Sequence, residues 1–116
     1  MNKIINTKNA EHYTWGEVCD GWRLVAGSDL SVIEERMPPG SSEQRHHHER
    51  ARQFFYVLAG SLTMEIDGRE HPLRAGEGIE VHPGQKHQAF NREATDARFL
   101  VISHPSTQGD RVVSAL

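Results

Sequence analysis

An all-β fold, a small barrel of two packed antiparallel sheets with little helix, is what this sequence predicts. Three observations carry the prediction. From Trp22 onward, short runs rich in β-branched and aromatic residues alternate with turn signals at close spacing. No segment sustains a 3.6-residue apolar period. Leu62, Met64 and Ile66 alternate with Thr63 and Glu65, the period-two pattern of a half-buried strand.

Taken in order, residues 1–21 have weak periodicity and read as an N-terminal arm with an edge strand. Residues 22–104 form the barrel, with strand runs at Trp22–Ala26, Leu30–Met37, Gln53–Ala59, Leu62–Ile66, His71–Leu73, Gly78–His82, His87–Asn91 and Arg98–Ser103. Turns fall at Ala26-Gly27-Ser28-Asp29, Pro38-Pro39-Gly40, Ala59-Gly60-Ser61, Asp67-Gly68, Ala75-Gly76 and Pro83-Gly84. Asp67-Gly68 is the pair that favours a tight two-residue hairpin of type I′. Residues 105–116 read as a tail, with Gln108-Gly109-Asp110-Arg111 expected as a polar surface segment.

Composition narrows the class. At 116 residues the chain has the length of one domain, 1–116. The net charge is −3 with both signs interspersed, so there is no basic stripe for nucleic acid. No apolar run approaches the ~20 residues that span a bilayer, and the first residues lack the apolar core of a signal peptide. Cys19 is the one cysteine, which rules out an internal disulfide. These features lead us to expect a cytoplasmic protein without nucleic-acid or membrane partners.

Eight histidines in 116 residues are the unusual feature, and three of them form the internal run His46-His47-His48. On a strand, positions two apart share a face, so His46 and His48 point into one space and His47 points away. Gln53 heads the next run, where a chain reversal would bring it beside them. His87 opens another strand after the Pro83-Gly84 turn. Three imidazoles and one oxygen donor make a ligand set for a divalent first-row metal. Structural zinc sites favour thiolates, which this chain lacks.

The spacing of these residues is also that of a known family. The stretch Gly40, His46, His48, Gln53, Gly60 resembles the first cupin motif, with glutamine where the family has glutamate. The stretch Gly76, His82, Pro83, Gly84, His87, Asn91 resembles the second, with His82 where proline is usual and Pro83 one place later. The resemblance implies a double-stranded β-helix, or jelly-roll, barrel. It makes His46, His48 and His87 metal ligands, puts Gln53 at the fourth position, and makes Gly40, Gly60 and Gly84 turn glycines. The metal would be one divalent ion, Zn, Fe, Ni or Mn. Barrels of this size with an apolar N-terminal strand often pair across a two-fold axis, so a homodimer is expected.

Glutamine for glutamate removes a negative charge, leaving the metal's charge uncompensated. Such an ion binds anions more strongly and is a better Lewis acid. The expected function is therefore an enzyme acting on a small, anionic, oxygen-rich molecule, by lyase, isomerase or ring-opening chemistry. Small cupins with this ligand set resemble the pectin-degradation type, which opens unsaturated uronate rings. An Fe(II) dioxygenase is one alternative, and a non-catalytic binding or sensor module is another. A barrel working without metal is the bland reading, disfavoured because clustered buried imidazoles would be left unsatisfied. Gln53 could also serve only to bond a ligand histidine.

Catalytic candidates are fewer. His82 could shuttle protons at the mouth or be only a turn residue. Tyr56 would reach the pocket in some registers, and an inward Arg98 would hold a carboxylate. One of Arg45, Glu49, Arg50 and Arg52 would face the mouth, the others being solvated. Alternation puts Glu34 and Arg36 on one face of their strand and Ile33, Glu35 and Met37 on the other, and whichever carboxyl faces inward is an acid/base candidate. His12, His71 and His104 show no ligand spacing and read as surface residues. Phe54, Phe55, Tyr56 and Leu58 read as core or interface, and Trp15 and Trp22 as packing or dimer contacts.

Overall fold

The computed structural model describes residues 2–114. Among these there is no helix, and eleven strands form two antiparallel sheets. In chain order they are β1 (Glu11–Trp15), β2 (Cys19–Ala26), β3 (Ser31–Met37), β4 (His46–His48), β5 (Arg52–Ala59), β6 (Ser61–Ile66), β7 (Arg69–Arg74), β8 (Gly78–Val81), β9 (His87–Phe90), β10 (Ala97–His104) and β11 (Arg111–Val113). One sheet has the order β1-β2-β3-β10-β5-β8 and the other β11-β4-β9-β6-β7. This is the jelly-roll barrel expected from the sequence.

All eight expected runs are strands, with ends displaced by at most three residues. The arm does carry an edge strand, β1, which pairs with β2 from Glu11↔Arg23 to Trp15↔Cys19. The Asp67-Gly68 hairpin closes with both residues at positive φ, 50° and 88°, directly between the paired Ile66 and Arg69. At Gly60 (φ +74°) a side chain would run into the carbonyl of Asp96, so the β5–β6 turn can pack against the start of β10 only with glycine there.

The tail departs from expectation. Residues 111–113 form β11, which pairs with β4 as Arg111↔His48 and Val113↔His46. Asp110, expected at the surface, is 6% exposed. A three-residue strand carries too little pattern to be read locally; its partner on the histidine strand makes it a strand.

Inward positions alternate along each strand and set the polarity of the interior. On β5 they are Gln53, Phe55 and Val57; on β10, Ala97, Phe99, Val101 and Ser103; on β6, Leu62, Met64 and Ile66. Phe99, Met37, Leu62, Met64 and Val57 are fully buried between the sheets and form the core. Each such side chain contributes roughly 1.5–3 kcal/mol on leaving water. Toward one end the inward residues turn polar: Gln53, Ser103, Glu35, His46, His48 and His87. The apolar end holds the barrel shut, and the polar end leaves a cavity.

Candidate metal centre

Strand parity builds the centre. On β4, His46 and His48 are inward and 5% exposed, while His47 faces away and is half-buried. His87 on β9 stands directly opposite His46 across the sheet and is completely buried. Ring centroids lie 4.9 Å apart for His46 and His48, 4.4 Å for His46 and His87, and 5.7 Å for His48 and His87. Each ring offers a nitrogen within 4.8 Å of the other two, an arrangement that could hold a metal ion.

The backbone decides which nitrogen is free. His46 Nδ1–H donates to the Gln44 carbonyl at 2.8 Å, His48 Nδ1–H to that of Asp110 at 3.0 Å, and His87 Nδ1–H to that of Gln85 at 3.0 Å. A carbonyl can only accept, so each Nδ1 carries the proton and each Nε2 keeps its lone pair. His87 Nε2 is buried and has no hydrogen-bond partner among the described residues. Gln53 donates from Nε2 to Ser103 Oγ at 3.1 Å, which turns its Oε1 away; that oxygen is likewise buried and unpartnered. A buried acceptor left unpaired costs about 1–3 kcal/mol. Three converging imidazole lone pairs, that of His87 among them unpartnered, together with the orphaned Gln53 oxygen fit a divalent cation and nothing purely apolar.

A cavity of about 210 Å³ opens in front of His46, His48 and Gln53. Its wall also includes Tyr13, Trp15, Glu35, Glu43, Ser103 and Arg111. Glu43 accepts from the Ala89 N–H at 2.9 Å, and Arg111 Nη2 lies 3.4 Å from the Gln44 carbonyl. Glu35 is the carboxyl that the β3 alternation left unassigned: it faces inward, while Glu34 and Arg36 face outward onto Arg98 and Asp20.

Three catalytic candidates lie off this wall. Tyr56 takes an outward position on β5 and stacks on Phe54 at 6.2 Å. Arg98 is outward on β10, bonded to Glu34 at 2.9 Å and lying over the Trp22 ring. His82 is exposed in the turn before β9 and borders a separate depression with Ile66, Asp67 and Gln85. The arginines around the histidine run also point elsewhere: Arg45 chelates Glu65 at 2.7 and 2.9 Å, and Arg52 pairs with Glu80 at 3.2 Å. The arginine of the cavity is Arg111, which reading the tail as surface had missed. His12 and His104 are exposed and bonded to Asp20 and to the Asp29 carbonyl, and His71 is half-buried on β7.

Burial, more than any neighbour, sets the charges. It pushes His46 down to about 3 and His87 to about 4, and lowers His48 as well. It pushes Glu35 up to about 8, helped by the charge of Glu43, and Glu43 up to about 7. The unfolded imidazoles take protons below their ordinary 6.5 while the folded ones refuse them, so metal-free protein loses stability as pH falls below that value. The unfolded carboxyls release protons above 4.5 while the folded ones keep them, so stability also falls as pH rises through 7 to 8. We expect the urea midpoint of chelator-treated protein to peak near pH ~6. A midpoint rising steadily from pH 5 to 8 would contradict these charge states.

Known proteins share this architecture. Residues 33–103 match the family model described as Cupin domain. Protein SchB of Streptomyces halstedii is 32% identical over 62 residues, 53% of this chain and 45% of that protein. An oxalate-binding protein of Thermotoga maritima is 33% identical over 67 residues, 58% of this chain and 55% of that protein. The chain thus spans about half the length of these relatives. Among solved structures, KdgF from Halomonas sp. superposes with a TM-score of 0.82 at 19% identity, covering 91% of this chain and 96% of that one. With two sheets closed on a histidine-lined cavity and a family match over most of the barrel, the chain belongs to the cupin family.

Proposed function

We propose that His46, His48, His87 and Gln53 hold one divalent metal, and that the protein is an enzyme for a small anionic, oxygen-rich molecule. The reaction is lyase, isomerase or ring-opening chemistry of the kind that opens a sugar acid. One observation carries the reading: the buried, unpartnered Oε1 of Gln53, which lines one cavity with His46 and His48 of the neutral three-histidine cluster. Such a set supplies no negative charge, so the bound ion would act as a strong Lewis acid toward a carboxylate or a pair of ligand oxygens. Arg111 adds a fixed positive charge to the wall and steers an anion inward. Ser103 holds the Gln53 amide so that its oxygen stays on the cavity. Tyr13 and Trp15 add aromatic surface to the cavity wall.

A binding module without turnover is the second reading, supported by the likeness to the oxalate-binding protein. Pairing of two copies would use the outward face of β5 and β10, where Phe54 and Leu58 are 39% and 43% exposed. A reducing, cytoplasmic setting agrees with the free, buried thiol of Cys19. No helix among the described residues is long and apolar enough to cross a membrane.

Elemental analysis of untagged protein, followed by assays on uronates and 2-oxo acids with oxygen uptake monitored, tests the reading. Stoichiometric metal with turnover and no oxygen consumption is expected. Iron with oxygen uptake would establish an oxygenase instead, and binding without turnover the module. Gln53→Glu tests the charge argument: metal should bind at least tenfold tighter and oxalate at least tenfold weaker, about 1.4 kcal/mol each way. Unchanged oxalate affinity would remove Gln53 from the ligand set.

A further inference from the structure

We propose that Glu35, with Glu43 across the same cavity, is the residue that gives and takes the proton of a ligand held at the metal centre. The inference rests on the metal reading above and names the acid/base group that reading lacks.

The placement comes from the sheet. Across β1, β2, β3 and β10 one row runs Tyr13, Gly21, Glu35, Phe99, each directly paired with the next. Gly21 has no side chain, and the Tyr13 ring lies in the space a Cβ would take. The tyrosine thereby leans over its neighbour strand until its hydroxyl lies 3.5 Å from Glu35 Oε2, at the long limit of a hydrogen bond. On the opposite wall Glu43 is tied to β9 by two bonds, Glu43 N–H to the Ala89 carbonyl at 3.1 Å and Ala89 N–H to Glu43 Oε2 at 2.9 Å. Both carboxyls share one cavity with His46, His48 and the unpartnered Gln53 Oε1, itself 94% buried by its 6% exposure. The orphaned oxygen marks where a cation belongs, and the carboxyls mark where its ligand must exchange protons.

The charged and titratable groups facing Glu35 are few. Tyr13 from β1, Glu43 before β4 and Arg111 from β11 act on it, and its own charge reaches Cys19 on β2; His46 and His48 from β4 line the same cavity, and β10 offers only Val101 and Ser103. Burial and the second carboxyl hold Glu35 near neutrality, so both its protonated and ionised forms are available there. In the forward step a C–H bond beside the ligand's carbonyl breaks. Its proton bonds to a Glu35 carboxylate oxygen, and the electron pair stays with the ligand. The reverse step returns the proton to the ligand at a different atom or face. No oxidant or reductant is required.

The test uses cobalt-loaded full-length protein, whose visible absorption reports ligand arrival. Two probes are followed: oxalate, for proton uptake on binding at pH 8, and pyruvate in D2O, for deuterium entry at its methyl carbon. For the native protein we expect net proton uptake with oxalate and measurable exchange of pyruvate. Glu35→Gln, which keeps size and shape, should cut the exchange at least 100-fold. It should abolish most of the proton uptake and leave pyruvate affinity within threefold. Glu34→Gln on the outer face should change neither. Exchange or uptake persisting in Glu35→Gln overturns the proposal, as does pyruvate that binds the native protein without exchanging. If neither probe perturbs the cobalt spectrum, the metal-anion reading fails and this inference with it.

Discussion

His87→Ala should leave a folded barrel that no longer retains stoichiometric metal, with affinity reduced by more than about 100-fold. Loss of a residue that only orients a ligand costs 10–100-fold, and His87 offers its own Nε2 to the centre. The ring is fully buried, faces His46 in register and packs edge-on against Phe55 at 6.0 Å. Its removal opens a void at the polar end and spares the Phe99–Met37–Leu62 core. A stability loss of about 1–3 kcal/mol is expected from the void, offset in part because a buried unpaired nitrogen disappears. Metal content by elemental analysis, with circular dichroism as the control for folding, checks both halves. Full metal content in a folded His87→Ala protein would dismiss the centre. His48→Ala should behave alike.

Asp110→Ala should cost about 3 kcal/mol of stability and, in protein that still folds, 10–100-fold in metal affinity. Its carboxylate accepts from three consecutive N–H groups, Glu49 at 3.1 Å, Arg50 at 3.0 Å and Ala51 at 2.9 Å. Burial works against its charge, but these donors outweigh it and hold the carboxyl below the usual range. Alanine would leave the donors unpaired, with Ala51 only 2% exposed. The same residue's carbonyl receives His48 Nδ1–H at 3.0 Å, so the loop that Asp110 anchors also orients a histidine of the proposed metal centre. Asp110→Asn, which keeps an acceptor oxygen, should recover part of both losses. Urea unfolding with and without metal separates the two effects. Equal metal-induced stabilisation in the native and alanine proteins would limit Asp110 to a structural role.

How much of this was legible in the chain differs by residue. His46 and His48 could be placed together because parity along a strand is local and holds wherever the strand packs. Their juxtaposition to His87 could be proposed from motif spacing, and the register His46↔His87 now carries it. The Asp67-Gly68 hairpin was readable because two consecutive positive-φ residues leave few other options. Tyr56 and Arg98 were readable only as alternatives, since parity alone does not say which face of β5 or β10 meets the core.

By itself the sequence determined the barrel class, the eight main strands, the histidine set and the charge-neutral character of the proposed ligand group. The strands and the His46–His48 pair follow from patterns between near neighbours, which every copy of the chain carries before it folds, and His87 joins them through motif spacing. Tertiary structure alone decided that Glu35 turns inward and Glu34 outward, that Glu43 joins it, and that the polar tail supplies Arg111 to the cavity and Asp110 to the loop behind His48. These depend on pairing between segments far apart in the chain, β11 with β4 and β3 with β10. A three-residue strand gains its hydrogen bonds only from such partners, and β11, whose residues all stay exposed, carries no buried-face pattern of its own to announce it.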